Sequence, residues 1–134
     1  MKRAFLTLAA LFLVLMLSAC SGEVFDIAYT ARGDSTNLLA VTKTDNFQRT
    51  DDVNVVVKLS GHDGDVEVQV KFINPEGGQE GETLTAVVPE DVGTVVLGLD
   101  WEQRPSQEPW EAGSWSAEVY VDGEMVHELE YRVN

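Results

Sequence analysis

The residues able to do covalent chemistry are few. Cys20 is the only cysteine in the 134-residue chain, and His62 and His127 are the only histidines. One cysteine excludes an intrachain disulfide. No second histidine or cysteine stands near His62 to complete a zinc site. No serine sits in a nucleophile-elbow context to complete a triad. His62 lies beside Asp63 and Asp65, a pairing that suits a general base or a metal ligand, but Gly61 and Gly64 flank it and a turn explains the stretch better. Calcium would suit the oxygens of His62-Asp63-Gly64-Asp65-Val66-Glu67, yet the spaced D-x-D-x-D-G pattern with a following bidentate Glu is missing. No metal, cofactor or catalytic residue is therefore assigned. A hydrolase built on paired carboxylates ranks last, because no spacing singles out a pair.

Cys20 has a more specific context. Lys2 and Arg3 precede Ala4–Leu17, a run of 14 residues that is apolar except for Thr7. A spanning helix needs about 18 or more such residues, whereas this length suits the apolar core of a signal peptide. The run closes on Leu17-Ser18-Ala19-Cys20. This resembles a bacterial lipobox: a branched apolar residue, two small residues, then cysteine. The resemblance implies that a diacylglyceryl group is attached to the Cys20 sulfur and that signal peptidase II cuts just before it. A thiolate is the nucleophile that thioether formation needs, and two acyl chains anchor stably where one binds only marginally. Residues 1–19 are thus read as signal peptide, 20–23 as lipidated tether and 24–134 as the domain. The protein is placed on the extracytoplasmic side of a membrane. Ser21, in place of Asp, resembles outer-membrane cargo if the host has an outer membrane.

Charge narrows the partners. The chain carries nine basic and 23 acidic side chains, net −14. Without Lys2 and Arg3 the count is seven against 23, net −16. Such a surface repels nucleic acid and anionic lipid headgroups. Solubility and salt adaptation both account for the acidity.

The elements behind these residues read as all-β. Short β-rich runs alternate with Gly, Pro, Asn and Asp, as in a sandwich or barrel. Val53, Val55, Val57 and Leu59 share one face, and so do Val66, Val68, Val70 and Phe72. The four residues Gly61–Gly64 are expected to join these runs as a hairpin loop. Val95, Leu97, Leu99 and Trp101 form a further face, and Leu84, Ala86 and Val88 a weaker one. Residues 24–31 and 38–43 supply one or two initial strands, giving seven or eight in all. In the C-terminal hairpin, a two-residue Asp122-Gly123 loop would set the apolar faces of the two strands out of phase. A three-residue loop, Val121–Gly123, would pair Val119 with Met125 and Trp115 with Leu129, so that is the expectation. It also turns His127 inward, opposite Ala117.

The order Asp51-Asp52 before the second run, Asn74-Pro75-Glu76-Gly77 after the third, and Trp110-Glu111-Ala112-Gly113-Ser114-Trp115 before the closing hairpin resembles an immunoglobulin-like module of bacterial and archaeal exported proteins. The resemblance spans roughly residues 47–133 and implies an antiparallel β-sandwich. Its motifs are structural, and fold alone licenses no activity. The leading function is a membrane-anchored, non-enzymatic interaction module for another envelope protein or polymer. The alternative is a carbohydrate-binding or adhesive module using Trp110, in the 102–114 loop, with Tyr120 exposed on the outer face of its strand. Against it stands Trp110 folded back as a plug on the open end of the sandwich, near Trp101 or Trp115, which is the preferred reading.

Overall fold

A computed structural model describes residues 24–134. The signal-type run and Cys20 lie outside the described residues. Among those described are nine strands: β1 Phe25–Arg32, β2 Thr42–Lys43, β3 Asn46–Phe47, β4 Val53–Leu59, β5 Val66–Ile73, β6 Gln79–Val88, β7 Thr94–Leu99, β8 Gly113–Val121 and β9 Glu124–Val133. Seven are long, and β2 and β3 have two residues each. One sheet has the order β2-β1-β4-β7 and the other β3-β9-β8-β5-β6. All pairings are antiparallel except β3 with β9.

Two-residue periodicity builds the core. Val53, Val55, Val57 and Leu59 of β4 meet Val66, Val68, Val70 and Phe72 of β5 and Trp115, Ala117, Val119 and Val121 of β8, all buried. These alternating faces are the ones expected, since a strand burying one face must place every second side chain there. Val95, Leu97 and Leu99 of β7 and Leu84 of β6 pack against this core from its margin.

Three expectations need correction. First, β4 and β5 do not form a hairpin. They belong to opposite sheets, and residues 60–65 cross between them. Two strands facing each other across a core show the same alternation as two strands side by side, so periodicity alone does not separate the cases. Second, β4 buries both faces, with Asn54 1% and Val56 0% exposed. Asn54 Nδ2 donates to the carbonyls of Gly33 at 2.7 Å and Ala31 at 3.2 Å.

The third concerns the closing hairpin. Val121 pairs with Glu124, leaving the two-residue loop Asp122-Gly123. Both loop residues have positive φ, 49° and 82°, as the tight hairpin turns that match strand twist require. The phase conflict is instead resolved by a register shift: Tyr120 pairs with Met125, but Val119 pairs with His127. Val126 is the extra residue of a β-bulge. The bulge moves the inward face from Val126 to Leu129, Tyr131 and Val133. Met125 is consequently exposed, and His127 is exposed opposite Val119, its ring stacked on Phe25 at 5.7 Å.

The first strands also differ in detail. Residues 38–43 hold a 3₁₀ turn at Leu38–Ala40, capped by the Asn37 side chain, before the short β2.

Candidate functional site

At one end of the sandwich, β7 runs into the connection carrying Trp101, Arg104 and Trp110. Asp100 caps a 3₁₀ turn, Trp101–Gln103, by accepting from the Glu102 N–H at 2.9 Å. Trp101, expected at the end of a strand, therefore sits in this turn. Farther along, Gly113 at φ 139° redirects the chain, with Pro75 packed against it. That bend sets Trp110 edge-to-face with Trp115 at 5.8 Å.

Trp110 is 3% exposed. Its Nε1–H donates to the Asp51 carbonyl at 2.7 Å and its backbone N–H to the Arg49 carbonyl at 3.0 Å. The Arg49 Nε–H returns a bond to the Trp110 carbonyl at 2.7 Å. The indoles of Trp101 and Trp115 likewise donate to backbone carbonyls, of Thr50 and Glu111. Trp110 is thus the plug, and both ring and N–H are spent on the protein itself. Stacking of a ligand on Trp110 gives way to that burial.

Arg104 holds the plug from outside. Its guanidinium lies 5.0 Å from the Trp110 ring centroid and donates to Glu80 at 2.9 Å, Glu111 at 3.1 Å and the carbonyls of Glu108 and Pro109. Burial disfavours its charge, but the Glu111 and Glu80 carboxylates outweigh that and raise its pKa. The Glu111 carboxyl is also partly desolvated, yet its own backbone N–H, Arg104 and Arg49 hold it below the usual carboxylate range. Nothing in the sequence singles out Arg104, because Glu80 is 24 residues away and Glu111, seven residues on, shares no regular element with it.

Beside this end, a hollow of about 210 Å³ is lined by Asp34, Asp52, Asn54, Asp100 and Gln103, among others. Desolvation and the neighbouring Asp100 carboxyl push Asp52 up to about 6. Thr36 donates its N–H and Oγ1–H to Asp34 and lowers that pKa. These convergent carboxylates match the needs of a hydrolase only in part. Asp52 and Asp100 both line this hollow. Ligand pockets run from about 300 Å³, larger than this hollow. Among the described residues no group of three or more His, Cys, Asp or Glu side chains is placed to hold a metal ion.

Tyr120 is half-buried on the outer face of the five-stranded sheet. Its hydroxyl donates to Glu118 at 2.8 Å and the Lys71 ammonium sits 4.8 Å over its ring. It lies far along β8 from the plug, so the structure does not bring Trp110 and Tyr120 together. His62 links two loops, with Nδ1 2.9 Å from the Gly64 carbonyl and Nε2 3.2 Å from that of Val92. The Asn74-Pro75-Glu76-Gly77 motif makes the β5–β6 turn, where the Asn74 side chain accepts from the N–H groups of Glu76 and Gly78.

No protein-family model matches this chain. No curated protein sequence matches it either. Among solved structures, an immunoglobulin-like protein from Pseudomonas aeruginosa is similar with a TM-score of 0.50 at 11% identity, covering 84% of this chain and 95% of that one. The fold is an immunoglobulin-like β-sandwich. Weaker likenesses are to a CARDB domain from Pyrococcus furiosus solved with di-metal ions (TM-score 0.46, 16% identity, 84% of this chain and 90% of that one) and to a β-glucosidase from Listeria innocua solved with glucose (TM-score 0.48, 18% identity, 81% of this chain and 16% of that one). At these scores they carry no argument about metal or sugar.

Proposed function

We propose that this chain is a bacterial lipoprotein, anchored through acylated Cys20 on the extracytoplasmic face of a membrane, whose immunoglobulin-like sandwich is a non-enzymatic interaction module for another envelope protein or polymer. The observation that carries this is the placement of Leu17-Ser18-Ala19-Cys20 immediately ahead of the sandwich, whose first strand starts at Phe25. Cleavage before Cys20 leaves only residues 21–24 between the lipid and β1.

So short a tether fixes which end of the domain meets the membrane. Phe25 pairs with Leu59 at one end of its sheet, and Arg32 with Val53 at the other. The Phe25 end also holds the Asp122-Gly123 turn and the His62 loop, while the Trp110 plug closes the Arg32 end, away from the membrane. The two sheet faces and their edges stand between and remain accessible from the side.

The test is Cys20→Ala in a bacterial host that acylates lipoproteins. Acyl labelling should vanish and the uncut precursor should accumulate. Release of a mature protein of normal size from Cys20→Ala would show an ordinary signal and remove the anchor from this account.

A further inference from the structure

β9 is paired along its length on one edge and almost unpaired on the other. β8 covers the inner edge from Glu124 to Val133, whereas β3 reaches the outer edge only at Arg132 and Val133. There the N–H groups of Arg132 and Asn134 donate outward to the carbonyls of Asp45 and Phe47. The register with β8 is continuous from His127 to Val133. By strand period, Glu128 and Glu130 therefore turn their N–H and C=O outward as well, and no described residue pairs with them. β1 is the neighbouring strand of the facing sheet. It is paired by β2 only at Ala31 and Arg32. Between the two edges lies a hollow of about 500 Å³ lined by Ala28, Thr30, Leu129 and Glu130, among others. A second, of about 490 Å³, flanks β9 on the outer face, with Asp45, Ser116, Glu128, Glu130 and Arg132 in its lining.

The side chains beside this edge are mainly acidic, with Lys43 and Arg132 lining the same hollows but in no ion pair with Glu128 or Glu130 among the described residues. Glu118 and Glu128 are directly opposed across β8 and β9, an arrangement that costs stability. Glu118 at least receives the Tyr120 hydroxyl. The described ion pairs involve only Arg104, so Glu128 and Glu130 have no cation within 4.0 Å among the described residues. Acidic residues and a bulge on an open edge discourage pairing with another acidic copy of the same chain. The same carboxylates attract a strand of opposite charge.

We propose that the open edge of β9, from Val126 to Tyr131, takes an extended segment of a partner protein as an added strand, and that this segment carries Lys or Arg at alternate positions. The inference rests on the reading of the domain as an interaction module and names its surface and its partner's chemistry. Backbone bonds to Glu128 and Glu130 would supply affinity. Cationic side chains at every second residue, on the face shared with Glu128 and Glu130, would supply selection.

The experiment measures amide hydrogen exchange on the full-chain protein, purified from membranes in detergent. The probe is a ten-residue peptide alternating Lys with Thr or Val, and the control is its Glu counterpart. The Lys peptide should slow exchange at Glu128 and Glu130 at least tenfold, and the Glu peptide should not. Glu128→Lys with Glu130→Lys should weaken peptide binding at least tenfold, with folding checked by thermal melting. Glu130→Pro should do the same by removing one outward donor; if it unfolds, the double lysine variant decides. Protection confined to β6, protection that rises with protein concentration without peptide, or equal loss of binding in Glu90→Lys with Asp91→Lys would each overturn the proposal. Intact mass of the same preparation reports Cys20 acylation separately. An acylated protein without protection defeats the edge site alone, and an unacylated protein with protection defeats the anchor alone.

Discussion

Replacing Trp110 by Ala tests whether this residue seals the fold. The side chain is 3% exposed, meets Trp115 edge-to-face, lies under the Arg104 guanidinium and donates to the Asp51 carbonyl. Deleting a buried tryptophan side chain costs about 3–5 kcal/mol, the upper part of that range applying where the cavity cannot collapse. Collapse is resisted here because the walls are strand residues, Val53, Leu99, Trp115, Tyr131 and Val133. With about 2 cal/mol/K per residue of unfolding entropy, such a loss lowers Tm by roughly 13–21 °C for a domain of this size. Trp110→Phe keeps most of the ring and loses the hydrogen bond, at a cost of about 1–2 kcal/mol. Urea unfolding followed by circular dichroism, on wild type and both variants, gives the two numbers. If Trp110→Ala unfolds within about 1 kcal/mol of wild type, Trp110 is not a plug, and the stacking role for its indole becomes the better account.

Four other perturbations act on further contacts of the sandwich. Gly98→Ala should cost about 2 kcal/mol or more, because a Cβ there collides with Asn54 Oδ1 and crowds the Val53 carbonyl; thermal melting reads it. Arg104→Lys should also destabilise, by about 1–3 kcal/mol, since an ammonium cannot serve Glu80, Glu111 and two carbonyls at once. Gly123→Ala should cost about 1 kcal/mol through its positive φ of 82° without moving the β9 register, which cross-strand NOEs of the variant would check. For Asp52 the folded pKa, about 6, lies above the ordinary 3.8. The unfolded chain therefore releases this proton first, and stability falls as pH rises from about 4 to about 6 and stays lower above that. Asp52→Asn should flatten that fall in a urea-midpoint series against pH and raise stability at pH 7, by about 1 kcal/mol given the screening at a partly open site.

How far the sequence reaches is clear from individual strands. β5 and β8 each bury one face, so Val66, Val68, Val70 and Phe72, and likewise Trp115, Ala117, Val119 and Val121, announce themselves by alternation. The Asn74 turn and the Trp110-to-Trp115 motif are legible for a similar reason, since local backbone geometry dictates their residue types. Sheet membership is not, because β4 would show the same pattern beside β5 as it does facing it. The β9 register does not follow from loop length alone: Asp122-Gly123 demands the tight turn, and Val126 absorbs the phase difference as a bulge. Burial of Asn54 and Val56 depends on the tertiary surroundings of β4, which no local pattern encodes. Arg104 with Glu80, and Asp52 with Asp100, meet only after the sheets have assembled, so neither cluster has a signature in spacing.

The anchor is the claim on which location and orientation both depend. Mass spectrometry of the mature N-terminal peptide from membranes measures it directly. The account predicts a peptide beginning at Cys20 that carries a diacylglyceryl thioether. A mature protein beginning at any other residue, or with a free Cys20 thiol, would contradict it.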